Sequence, residues 1–206
     1  MHLSGLGRGH VPEVVARAAV RPAIVYDAAM PPEPDRSEIH RRFRRLTAGY
    51  RSGDIAAVQA VLGWPEDFPN TLQPMELASG DWPLVSAINL SPLRFVRRLL
   101  ELGADPNYEA RDGFPSLMAA IDAPRSDVTR LLALLLRHGA RTDQRGVNDW
   151  TPLHYAVARR NLDAVRLLLA HGADVDAPTR IDDRTTPRED AEAVGFIEAV
   201  QAMAER

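Results

Sequence analysis

A chain of 206 residues, 45% hydrophobic and 26% charged, is long enough for one sizeable domain or two small ones and too apolar for wholesale disorder. It contains no cysteine, which removes thiolate zinc sites, thiol nucleophiles and disulfide scaffolds together and suits a reducing, cytoplasmic setting. All 25 basic residues are arginine, so Schiff-base, phosphate-loop and general-base lysines are excluded, and the net charge of −3 is unevenly spread: residues 1–50 carry an excess of arginine and the rest is acidic. An acidic body repels phosphate backbones, so nucleic acid is a disfavoured partner for it. No apolar run approaches the roughly 20 residues that span a bilayer, and the start MHLSGLGRGH lacks the pattern of a secretory signal.

In chain order, VPEVVARAAV at 11–20 has the spacing of a short amphipathic helix, and MPPEPDRS at 30–37 reads as a proline-rich linker. Residues 1–37 are therefore expected to form an arm or one docked helix. The basic run at 40–45, HRRFRR, could contact phosphate and stack a base. On a capping helix, Phe43 and Leu46 are expected to face the stack while the arginines solvate the outer surface. FRRLTAGYRSGDIAAVQAVL predicts two helices broken at Gly53-Asp54.

From residue 80 onward the chain repeats itself. WPLVSA at 82–87 aligns with PSLMAA at 115–120, TPLHYA at 151–156 and TPREDA at 186–191, at offsets of 33, 36 and 35 residues. A second marker keeps step: LLELGADPN, LLLRHGARTD and LLLAHGADVD turn at Gly103, Gly139 and Gly172. Each unit predicts a proline-opened helix, a short turn, a Leu-rich second helix and a glycine that stops it. One such pair cannot bury its own apolar face. Leu84, Ile88, Val96, Leu99 and Leu100, like Leu153, Val165, Leu168 and Leu169, are expected to pack against neighbouring units in a solenoid.

TPLHYAVARRNLDAVRLLLAHGADVDA resembles an ankyrin repeat, through Thr-Pro-Leu-His-x-Ala and Leu-Leu-x-x-Gly-Ala-Asp. The resemblance extends over residues 38–206 and implies an all-α solenoid of stacked helix-turn-helix units with β-hairpin or loop fingers. The repeats fall at 38–79, 80–112, 113–148, 149–182 and 183–206, the first and last resembling caps. Three residues are inserted around 122–127, between the helices of the third unit.

The resemblance implies a non-enzymatic module that binds another protein on its concave face, as an adaptor or a neutralising partner, in the manner of small bacterial ankyrin proteins, with the chain a monomer. The alternative is a small-molecule or nucleic-acid binder that uses the Arg-rich N-terminal segment. No cofactor or metal is expected: no Gly-x-Ser-x-Gly or His-x-x-x-His occurs, and the resemblance gives His154 a structural hydrogen-bonding role. The positions before each Thr-Pro, which in such folds face the concave side, hold Asp81, Phe114, Trp150 and Thr185. With Tyr155 one turn on, Phe114 and Trp150 form a candidate interface, flanked by Arg111, Asp112, Asn148, Asp149 and Arg159. These rings could instead pack finger to finger. In RIDDR at 180–184, Asp182 and Asp183 either receive a basic partner or join a salt-bridged tip.

Overall fold

The first helix of each hairpin opens on a proline or on a capping aspartate. In the computed structural model, which describes residues 35–78, 81–181 and 184–205, the elements are α1 (Arg36–Ser52), α2 (Ile55–Leu62), α3 (Met75–Ala78), α4 (Pro83–Leu90), α5 (Leu93–Glu101), α6 (Ser116–Asp122), α7 (Val128–Arg137), α8 (Pro152–Ala158), α9 (Leu162–Ala170), α10 (Pro187–Ala193) and α11 (Ile197–Ala204). The expected segment at 11–20 lies outside the described residues, as do Asp182 and Asp183. Prolines 83, 152 and 187 occupy the first turn of α4, α8 and α10, where a missing N–H costs nothing. Thr151 with His154, and Thr186 with Glu189, close capping boxes on α8 and α10.

The second helices end alike. Gly103, Gly139 and Gly172 take positive φ, and the alanine after each donates its N–H to Leu99, Leu135 and Leu168 respectively at 2.9–3.0 Å. Nothing surrounds these three glycines, so only the left-handed backbone demands them.

The hairpins α1/α2, α4/α5, α6/α7, α8/α9 and α10/α11 stack so that the first helices touch in succession, while α5, α7, α9 and α11 form a second row behind them. The nine apolar side chains expected at the unit boundaries are all buried. Tyr50 and Phe95 meet edge to face at 5.7 Å, joining the first hairpin to the second. Phe43 does not face the stack as the sequence suggested. It is 46% exposed, because α1 turns Leu46, Gly49 and Tyr50 inward and leaves Phe43 on the open side.

Among the described residues the fingers are turns and loops, without strands. They are tied across repeats by side chains. Asn70 donates to Gly103 O at 2.8 Å and accepts from Asp105 N–H at 2.9 Å. One repeat on, Asn107 does the same with Gly139 O and Arg141 N–H, at 2.9 and 2.8 Å. The insertion around 122–127 also works between repeats. It carries Arg125 back to the end of α4, where its guanidinium donates to Ile88 O at 3.0 Å and Ser91 O at 3.1 Å while pairing with Asp127.

Candidate functional site

Phe114 lies at the tip before α6, Trp150 before α8, and Tyr155 on α8. The Phe114 and Tyr155 rings meet edge to face with centroids 5.7 Å apart, and Trp150 tilts over Tyr155 at 6.4 Å. Tyr155 was expected to project freely, but it is only 7% exposed, because the two half-buried rings from adjacent fingers cover it. Burial pushes the Tyr155 hydroxyl's pKa up, and its hydrogen bond to Asp122 adds to the rise. Asp122 in turn pairs with Arg159 at 2.8 Å, with both side chains about half exposed. The sequence reading did not single out Asp122. Its place at the end of α6, one repeat before Arg159 at the end of α8, was the available signal.

A second group gathers Asp81, Arg111 and Asp112. Burial raises the pKa of half-buried Asp81, the negative charge of Asp112 raises it further, and Arg111 partly offsets both. Arg111 and Asp112 are exposed. Asp112 also accepts the Phe114 N–H at 2.9 Å, so it shapes the fingertip that carries the ring.

Asn148 is exposed, with φ 57°, in a single 3-10 turn at Val147–Asp149. Its neighbour Asp149 is a structural hub, with a side chain only 10% exposed. Its carboxylate accepts from Arg145 at 2.9 Å and from the Arg180 N–H at 2.6 Å, and it pairs with the Arg180 guanidinium. Arg180 thus reaches back to the preceding finger.

His154 is fully buried. The Thr151 N–H donates to Nδ1 at 3.1 Å, and Nε2 lies 3.1 Å from the Thr185 carbonyl, which can only accept. The ring is therefore the neutral Nε2–H tautomer, and a second proton on Nδ1 would face a donor. Burial, the largest cause, holds its pKa below the ordinary histidine value. The folded pKa lies below the unfolded one, so the associated stability is complete above about pH 6.5 and is lost as pH falls. Urea melts between pH 7 and 5 are expected to show this loss in the wild type and a flatter profile in His154→Gln. Equal slopes in the two would refute the assignment. Among the described residues no group of three or more His, Asp and Glu could hold a metal ion.

The same row of first helices carries a groove of about 900 Å³ between α1, α3 and α4. Leu46, Tyr50, Leu77 and Val85 form its apolar floor, and Phe43, Arg44, Arg51 and Leu90 stand at its edges. The sequence reading did not anticipate this groove.

A stack of helical hairpins with looped fingers on one side, repeating at 33–36 residues, defines a helical-repeat solenoid. Residues 84–179 match the family model for ankyrin repeats, in three copies. The chain is an ankyrin repeat protein. It is 34% identical over 143 residues to human ankyrin repeat and SOCS box protein 6, a match covering 68% of this chain and 31% of that protein. An ankyrin repeat protein of fowlpox virus (strain NVSL) is 31% identical over 107 residues, covering 52% of this chain and 26% of the viral one. Alpha-latrocrustotoxin-Lt1a of Latrodectus tredecimguttatus is 33% identical over 95 residues, covering 46% and 6%. The matched segments thus span less than a third of these relatives' own lengths. Ankyrin repeats generally mediate protein–protein interaction and typically act as non-enzymatic modules. No helix among the described residues is long and apolar enough to cross a membrane.

Proposed function

We propose that this chain is a non-enzymatic binding module that holds another protein against its first helices and fingertips. The observation that carries this reading is the cluster of Phe114, Tyr155 and Trp150 beside the Asp122–Arg159 pair, with exposed Arg111, Asp112 and Asn148 on the same fingers. Half-buried rings held rigid by their neighbours lose little entropy on binding, and arginine beside aromatics is the composition of interface hot spots. Asp81 and Arg159 extend the contact along the row. Such a face suits an adaptor or a neutralising partner, and the identity of the bound protein separates the two.

The test is site-specific photo-crosslinking in native lysate. Probes at Asn89 on α4 and at Arg159 just past the end of α8, both exposed, are expected to give a discrete protein adduct, and probes at Arg97 and Arg166, exposed on second helices, none. Adducts confined to the second helices, or none at all, would overturn the reading.

A further inference from the structure

We infer that the groove between α1 and α4 takes an acidic segment of a partner protein, with one apolar side chain on its floor and two carboxylates on Arg44 and Arg51. This rests on the protein-binding reading above and gives the partner a chemistry.

α1 is the most cationic helix of a net acidic chain, with six arginines against one glutamate in RSEIHRRFRRLTAGYRS, while the whole protein is net −3. Several of these arginines are already engaged: Arg41 pairs with Glu38, and Arg42 donates to Val61 O at 3.1 Å. Arg44 and Arg51 are exposed, line the groove, and have no side-chain partner among the described residues. They stand seven residues apart, so they share one face of α1 about 10.5 Å apart along its axis. Between them on that face lie Thr47 and Ala48, which also line the groove and leave a gap between the two guanidiniums. Across the gap is Leu90, 38% exposed, and beneath it the ring of Tyr50 and the side chain of Leu77.

The matching ligand has an apolar residue with an acid on either side, at about 10 Å separation. That is three residues apart on an extended strand or two turns apart on a helix. Asp81 sets the polarity: its carboxylate lines the same groove, so the ligand's acids belong on the α1 side. The apolar floor favours a peptide over a polynucleotide, whose phosphates would need cations along the whole track.

The full chain is panned against a phage-displayed library of random dodecapeptides, and selected peptides are measured by fluorescence polarisation. Expected are peptides with an apolar residue flanked by Asp or Glu. Their affinity should fall about tenfold or more in Arg44→Glu/Arg51→Glu and recover when the peptide's acids are changed to lysine. Both substituted positions are exposed, and circular dichroism checks that the variant stays folded. Ala48→Trp, which fills the gap without adding charge, should abolish binding independently. Selected peptides that lack acids, or that ignore the double charge reversal and are lost in Arg159→Glu, overturn this inference while leaving the protein-binding reading intact. Tight binding of single-stranded oligo-uridine, lost in the double variant with no peptide selected, overturns it in favour of nucleic acid. Failure of the binding reading itself is distinct, since the crosslinking probes at Asn89 and Arg159 would then give no adduct.

Discussion

Gly146→Ala is expected to lower the stability of the repeat stack by roughly 3 kcal/mol or more. The reason is space. Gly146 has φ −133°, outside the left-handed region, and what stands against a side chain there is its surroundings. A Cβ there would run into the carbonyl oxygen of Gly113, with Pro115 Cδ at 2.6 Å and Met118 Sδ at 2.7 Å. Methionine can swing aside, but the proline ring and the carbonyl cannot. That carbonyl already accepts the Val147 N–H at 2.7 Å, which ties the two fingers through backbone, while the Gly146 N–H closes its own finger on Trp150 O at 2.9 Å. Relief requires the finger before α8 to move off the finger before α6. Each repeat contacts only its neighbours, so the break falls on one interface and the urea transition should broaden. Gly139→Ala is the control: it meets open space and only a positive φ of 88°, and should cost about 1 kcal/mol. A Gly146→Ala loss no larger than the control's would show that the fingers separate freely.

The contrast between these two glycines also marks what was legible from sequence. Gly103, Gly139 and Gly172 are readable because their cause is local: a helix stops, the chain turns, and the same offsets recur. The proline and threonine starts of α8 and α10 are readable for the same reason. Gly146 carries no such signature, since its constraint comes from a carbonyl 33 residues earlier. The orientation of Phe43 was misjudged because it depends on what α3 and α4 cover, and α3 is a four-residue element without a periodic pattern. Tyr155 was legible as a member of an aromatic group but not as its enclosed centre, which is set by ring distances between separate fingers. The groove beside α1 was hidden in the same way. Its cationic face was in plain view as Arg44, Thr47, Ala48 and Arg51, but the opposite wall comes from α4, and only the stacking of first helices brings the two together.

Asp149→Ala is expected to cost about 2 kcal/mol at neutral pH, and its loss is coupled to acid in a defined direction. The carboxylate joins two fingers that are 31 residues apart in sequence, holding Arg145 within its own and Arg180 in the next. The Arg180 side-chain hydrogen bond is the largest influence on it, exceeding the opposing effect of burial. With the Arg180 N–H and the Arg145 charge added, the pKa is drawn down from 3.8 to about 2. The folded pKa lies below the unfolded one, so the contribution is complete above about pH 5 and is lost as pH falls toward 2. Asp149→Asn keeps an acceptor but no charge, and should flatten the acid limb of the stability profile while losing less than Asp149→Ala at pH 7. The two arms differ in exposure. The Arg180 side chain is 72% exposed, so its coupling should fade as sodium chloride is raised, whereas the Arg145 side chain is 23% exposed and its coupling should persist. Double-mutant cycles pairing Asp149→Ala with Arg145→Ala and with Arg180→Ala measure both. Arg145 also donates to Pro178 O at 2.9 Å and to the Asp149 carbonyl at 2.8 Å, so removing the carboxylate leaves that guanidinium partly satisfied, which keeps the expected cost below that of an orphaned buried charge. If both couplings vanish with salt, the hub is a surface ion pair, and these two fingers are held by contacts such as Arg145 to Pro178 O and His154 to Thr185 O instead.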